Sequence, residues 1–218
     1  MITDPARRSI EPVVTASQVP AGVLGPEAVT IEVRCFVVPG ANGIVVVDTG
    51  IPGTAGAIEA ALERVGARWS DVTDIVLTHA HFDHVGGLSE AVIRAPQATL
   101  RAGALDLPDI RLDGDRAIRP LVEGDRVRDL LVLDTPGHTP GHISLFHDAA
   151  SLVLIGDLVG SVDGKLLFGP PAFTADAGRS RASLERVVGL GVERLVFSHG
   201  AEVTDPNGAV ADLLRAAE

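Results

Sequence analysis

The sequence predicts an α/β protein in which two β-sheets pack together with helices on the outside. Three observations point there. Apolar runs of strand length, rich in Val, Ile and Leu, recur along the 218 residues and are separated by turn-forming Gly, Pro, Asn and Asp. Their order is strands, helix, strand, a middle run of strands, then helix, strand, helix, which suits two sheets with helices outside them and also fits simpler α/β arrangements. Hydrophobic residues make up 46% of the chain and aromatics only 3%, so a sizeable core must be built from Val, Leu, Ile and Ala.

Residues 1–27 are rich in Pro, Ala and Val without clear periodicity and read as an N-terminal extension with room for one edge strand. The domain proper is expected over 28–218, a length that fits one globular unit. It opens with the runs Ile31–Val38 and Gly43–Val47, joined by the hairpin chemistry of Pro39-Gly40-Ala41-Asn42-Gly43. Asp48-Thr49-Gly50 closes the second run, and a helical pattern follows over about Thr54–Val65. Asp74–Thr78 is a short strand that ends directly on His79. Further strands are expected at Thr99–Arg101, Val127–Leu133, Ile143–Phe146, Leu152–Ile155 and Arg194–Phe197, with helices at about Ser180–Leu190 and Asn207–Ala217.

Composition narrows the function. A formal net charge of −11, with arginines scattered from Arg7 to Arg215, would repel phosphate backbones, so a small-molecule substrate is expected and nucleic acid is not. A single cysteine, Cys35, excludes an intramolecular disulfide and fits a reducing compartment; lying in an apolar strand, it reads as a small core residue, not a nucleophile. Met1–Ile10 has no apolar run, and no stretch approaches the roughly 18 apolar residues of a membrane helix. The expected location is therefore cytoplasmic.

The chemistry is concentrated after Thr78, in Thr-His-Ala-His-Phe-Asp-His-Val-Gly-Gly. His79, His81, Asp83 and His84 bring imidazole, which suits zinc and its neighbours, together with a harder carboxylate oxygen. On a loop leaving a strand, alternate residues point the same way, so His79 and His81 can share one metal while Asp83 and His84 reach a second. A helix is not expected to present these four groups together. Gly86-Gly87 is expected to let the chain turn away afterwards.

His-x-His-x-Asp-His after a short apolar strand resembles the signature of the metallo-β-lactamase superfamily. The resemblance implies a four-layer αββα sandwich with metals at one edge of the sheets. Three further motifs follow in order: Pro136-Gly137-His138-Thr139-Pro140-Gly141-His142, Ile155-Gly156-Asp157 and Phe197-Ser198-His199-Gly200. By resemblance, the first metal takes His79, His81 and His138, the second takes Asp83, His84 and His199, and Asp157 bridges them. Five histidines and two carboxylates leave the two divalent ions, zinc first with iron or manganese as alternatives, room for a bridging hydroxide. Asp48 is expected near the metals without binding them. His142 is expected to hold the His138 loop by hydrogen bonds, and His147 to lie at the surface.

The reaction this implies is hydrolysis by a metal-bridging hydroxide of pKa lowered towards 7, oriented by Asp83. With no Tyr and one Lys (Lys165), few side chains can protonate a poor leaving group. A thiolate, of reference pKa about 8.5, leaves without such help, which favours a small thioester or ester. The sequence is similar to the glyoxalase II (hydroxyacylglutathione hydrolase) branch in Asp157 and in Gly137-His138-Thr139-Pro140-Gly141-His142. It departs at the end, stopping 19 residues after His199, without the C-terminal helical domain that helps hold glutathione in that branch. Lactonase or β-lactam-type hydrolysis, a mononuclear iron persulfide dioxygenase and a non-catalytic metal-binding protein are the alternatives. Two segments are candidate pocket walls: Gly164–Ala175, read as a loop carrying Leu167, Phe168 and Phe173, and Ala104–Glu123, read as a second rim.

Overall fold

The computed structural model describes residues 10–216; the first nine residues of the extension, and Ala217 at the expected end of the last helix, lie outside them. β1 (Glu11–Val19) and β2 (Val29–Gly40) pair antiparallel, so part of the extension is the edge strand of the first sheet. β3 (Gly43–Val47) returns beside β2 after the turn at Ala41-Asn42. Gly43 takes φ 127°, and a Cβ there would lie 2.2 Å from Thr73 Cγ2, so only glycine fits this hairpin end.

The first sheet continues with β4 (Val72–Leu77), β5 (Thr99–Gly103) and β6 (Ile118–Leu121), each added in parallel. The crossovers carry α1 (Ala55–Arg64), then the short α2 (Phe82–Val85) and α3 (Leu88–Arg94). β6 has no counterpart in the apolar pattern because it contains Pro120; as the edge strand of its sheet it tolerates the missing N–H. The second sheet has the order β13-β10-β9-β8-β7, formed by β7 (Arg126–Val127), β8 (Leu130–Asp134), β9 (Ile143–His147), β10 (Leu152–Gly156) and β13 (Arg194–Phe197). A separate hairpin, β11 (Val159–Val162) with β12 (Lys165–Phe168), and the helices α4 (Ala177–Val188) and α5 (Pro206–Ala216) complete the chain.

Three apolar layers separate four layers of structure. On β3, Ile44 and Val46 pack with Ile58 and Leu62 of α1, whereas Val45 and Val47 face the second sheet. On β10, Leu152 and Leu154 join that middle layer, and Val153 and Ile155 pack on Leu184 and Val187 of α4. Strands buried on both faces read as continuous apolar runs, which is how these two appear in the sequence. The architecture is the αββα sandwich.

Four local expectations are corrected. The single strand expected over Val127–Leu133 is two, because Arg128 adopts φ 57° and turns the chain. From that turn Arg128 reaches the buried Asp74 at 2.8 Å, as does Arg101, which ties the two sheets together. His147 is buried, not at the surface, since Leu130 and Leu152 flank it on both neighbouring strands. The segment Gly164–Ala175 begins as a strand, and Phe168 packs against the core layer of Leu158 and Val159. Glycines 86 and 87 have ordinary φ values and serve another purpose, described below. Among the described residues, no helix is long and apolar enough to cross a membrane.

Candidate metal centre

β4 delivers Thr78 and His79 into the interior, and the chain stays extended through His81 (φ −68°, ψ 147°). It then closes one helical turn, with His84 N–H and Val85 N–H both donating to the His81 carbonyl at 2.9 and 3.1 Å. The expected extended loop is thus only half present: Asp83 and His84 lie in α2. Because a helical turn separates neighbours by about 100°, His84 points inward and is fully buried while Phe82 points out and is 65% exposed. The turn sits directly on the Asp48 loop. Thr49 N–H donates to His84 O at 2.8 Å, and a Cβ on Gly87 would lie 2.3 Å from Thr49 O. Close approach, not conformational freedom, is what requires glycine there.

His138 comes from the β8–β9 loop, Asp157 follows β10 and His199 follows β13, so all arrive at one edge of the sandwich. Ligand-capable atoms lie within 4.8 Å of one another in three groups: His79, His81 and His138; His79, His84 and Asp157; Asp83, His84 and His199. His138 Nε2 is 2.9 Å from His81 Nδ1 and 3.5 Å from Asp157 Oδ2. His84 Nε2 is 3.3 Å from Asp157 Oδ1, and His199 Nε2 is 3.0 Å from Asp157 Oδ2 and 3.5 Å from Asp83 Oδ2. Atoms bound tetrahedrally at about 2.0–2.2 Å from one ion lie about 3.3–3.6 Å apart, close to these separations. The buried Nε2 atoms of His79 and His84 and Oδ1 of Asp157 have no hydrogen-bond partner. Buried polar atoms that face one another without hydrogen bonds are costly unless a cation sits among them, and the ligand set fits a divalent ion.

The electrostatics agree. Burial, reinforced by neighbouring imidazoles, pushes the pKa of His79 well down and that of His138 to about 4, while burial also lowers His81. Burial opposes charge on His84 and His199 too, but Asp157 together with Asp48 at His84, and Asp157 together with the Glu32 carbonyl at His199, raise both. Burial likewise opposes charge on Asp157, yet His84 and His199 hold it far below the usual carboxylate range. An ionised carboxylate among unprotonated imidazoles is the state a metal requires, and binding would displace the protons that Asp157 draws onto His84 and His199.

Comparison with known proteins agrees with this geometry: residues 31–199 match the family model described as the metallo-beta-lactamase superfamily. The chain belongs to the metallo-β-lactamase superfamily. By family it is a metal-dependent hydrolase. It is 31% identical over 208 residues to the Bacillus subtilis (strain 168) protein named "Probable metallo-hydrolase YflN", covering 76% of this chain and 78% of that one. It is 37% identical over 162 residues to a hydroxyacylglutathione hydrolase of Rhodospirillum rubrum, covering 72% of this chain but 57% of the relative, so it spans little more than half of that protein. Among solved structures, TTHA1623 in a di-iron-bound form superimposes with a TM-score of 0.68 at 28% identity, over 90% of this chain and 98% of that one.

Around the clustered groups of this superfamily member lies a layer of supporting hydrogen bonds. Asp48, buried and at φ 59°, accepts from Thr78 N–H at 2.7 Å and Thr78 Oγ1–H at 2.8 Å, and faces His84 Nδ1 at 2.9 Å. Thr78 Oγ1 is in turn 3.0 Å from His79 Nδ1. With protons on both Nδ1 atoms, one carboxylate orients His84 directly and His79 through Thr78, leaving both Nε2 atoms bare. His142 Nε2 accepts from Asp157 N–H at 3.1 Å, and its Nδ1–H donates to the Thr135 carbonyl at 3.0 Å. It therefore ties the start of the His138 loop to Asp157, and burial, with His138 nearby, pushes its pKa down to about 3, keeping it neutral. His199 Nδ1 is 2.6 Å from the Glu32 carbonyl on β2.

A cavity of about 360 Å³ opens beside His81 and His138. Phe173, Ala172, Asp109 and Thr139 line it, with the Phe173 ring centroid 6.1 Å from that of His81. Of the three expected pocket residues only Phe173 lines it; Leu167 is exposed on β12 and Phe168 turns to the core. Sequence reasoning missed Asp106, which is buried, lines the cavity and accepts hydrogen bonds from Ala80, Thr139 and Gly141. Its only signal was an aspartate three residues beyond a strand end, inside a segment read as a rim.

Proposed function

We propose that this chain is a binuclear hydrolase of a small thioester or ester. The carrying observation is the convergence of His79, His81, Asp83, His84, His138, Asp157 and His199, with bare buried atoms facing one another. In this reading His79, His81 and His138 hold one divalent ion, Asp83, His84 and His199 hold the other, and Asp157 reaches both. Zinc is the expected ion, since five of the seven groups are imidazoles, with iron or manganese as alternatives. Such a pair supplies a water acidified towards pKa about 7 and a Lewis acid for the substrate carbonyl.

The chain's own residues do the rest. Asp83, at the outer side of the cluster with its side chain 21% exposed, orients the attacking water and receives its hydrogen bond. The cavity seats the acyl part against Phe173 beside His81 and His138. None of the residues lining it is Tyr or Lys, and Lys165 is exposed on β12, so no lining amine or phenol serves as an acid for the leaving group. A thiolate needs none, and several of the relatives are named hydroxyacylglutathione hydrolase. Because the chain spans little more than half of those relatives, the thiol is left unspecified. The charge of −11 disfavours nucleic-acid substrates.

The test compares hydrolysis of a thioester, an oxygen ester and a lactone with similar acyl groups, using one zinc-loaded preparation and a chelated control. The expected result is chelator-sensitive turnover with the thioester preferred. Equal or faster turnover of the ester or lactone would overturn the leaving-group argument, and no metal-dependent hydrolysis of any of the three would overturn the hydrolase assignment.

A further inference from the structure

We infer that Asp106 is a positioning residue dedicated to one of the two metal sites, clamping the loop that carries His79 and His81 to the loop that carries His138. The inference rests on the binuclear reading above. Asp106 lies in the turn after β5 and is 1% exposed, yet it is not one of the converging groups. Both carboxylate oxygens are occupied. Oδ1 accepts from Gly141 N–H at 2.6 Å, and Oδ2 accepts from Ala80 N–H at 2.9 Å and from Thr139 Oγ1–H at 2.6 Å. Ala80 stands between His79 and His81, and Thr139 follows His138.

Three bonds to one ionised, buried acceptor are charge-assisted and short. The backbones are also packed so closely here that only glycine fits at two positions. A Cβ on Gly141 would lie 2.3 Å from Asp106 N, and one on Gly103 would lie 1.9 Å from Gly141 O. The clamp thus sets the separation of the two loops, and with it the 2.9 Å approach of His81 Nδ1 to His138 Nε2.

The other site has separate supports. His84 is held by Asp48 and His199 by the Glu32 carbonyl, on α2 and after β13. Asp106 therefore acts through the loops of the His79–His81–His138 site.

Asp106→Asn tests this with little change of shape. An amide has one acceptor oxygen, so in either orientation its NH₂ faces a backbone N–H, that of Gly141 or that of Ala80. Zinc is titrated calorimetrically into metal-free wild type, Asp106→Asn and Thr139→Val, with thermal stability of the metal-free proteins recorded alongside. The expected wild type takes up two ions. In Asp106→Asn one step weakens by about 10–100-fold, the usual cost of losing a group that orients a ligand, while the other step stays near wild type and the melting temperature falls modestly, as one stranded buried donor requires. Thr139→Val, which removes one of the three bonds, shows a smaller loss in the same step; should the Asn variant fail to fold, an unchanged Thr139→Val would overturn the inference. Two unchanged steps in Asp106→Asn would overturn it as well. Equal weakening of both steps would make Asp106 a general structural residue and also overturn it. A wild type that binds fewer than two ions would overturn the binuclear reading itself.

Discussion

Asp48→Asn should loosen both proposed metal sites at once. Asparagine tolerates the left-handed φ of 59° about as well as aspartate, so the backbone is not the perturbation. The carboxylate serves three donors: Thr78 N–H at Oδ1, and Thr78 Oγ1–H and His84 Nδ1–H at Oδ2. An amide offers one oxygen. Placed towards His84 and the hydroxyl, it leaves Thr78 N–H facing an NH₂ group; placed the other way, it leaves both His84 Nδ1–H and the Thr78 hydroxyl facing one. Either arrangement strands at least one buried donor, at about 1–3 kcal/mol each. The metal-free protein should lose stability by that amount in urea denaturation. His84 and His79 belong to different proposed sites, and Asp48 orients the first directly and the second through Thr78. Each zinc-binding step should therefore weaken by about 10–100-fold. Unchanged affinity at both steps, in a variant whose urea midpoint has fallen, would show that Asp48 supports the fold alone and refute the reasoning.

Two further outcomes follow from groups away from the metals. Burial opposes ionisation of Asp74, but its bonds to Arg101 and Arg128 outweigh this and lower its pKa below the usual value. A depressed carboxylate contributes stability that is present above the unfolded pKa of about 3.9 and disappears as pH falls through the lower folded value. Asp74→Asn should therefore be less stable than wild type at neutral pH, by less than the about 3–5 kcal/mol of a fully buried pair because both arginines are partly exposed. The gap should shrink below about pH 4, and a gap that stays constant from neutral pH down to pH 3 would contradict the assignment. At the cavity wall, Phe173→Ala should raise KM for an apolar acyl substrate by about 5–30-fold, equivalent to about 1–2 kcal/mol of lost contact, with kcat little changed; a fall in kcat at constant KM would mean the ring acts on the reaction step instead.

Much of the fold could be read from the chain because it depends on local pattern. The run Gly43–Val47 and the run Leu152–Ile155 are apolar on consecutive residues, and both are strands buried on two faces. Where pattern failed, a long-range partner had intervened. Arg128 splits an apolar run by turning to Asp74, 54 residues away in sequence. His147 looks like a polar strand end, yet it is buried in an interior strand, with Leu130 and Leu152 beside it on the two neighbours. Leu167, Phe168 and Phe173 are alike in being large and apolar, and only the tertiary placement of β12 and of the turn Pro171–Phe173 after it puts Phe173, of the three, at the cavity.

The same division runs through the metal centre. Residue types and their order along the chain determined which chemistry is possible, because imidazole and carboxylate are what they are in any conformation. Only the tertiary structure decided how those groups stand. Asp106 meets Ala80, Thr139 and Gly141 across 26, 33 and 35 residues of sequence. Asp48 meets Thr78 across 30 and His84 across 36. Which imidazole nitrogen is free for a metal depends on the partner its other nitrogen finds, and those partners come together only when the two sheets close on each other.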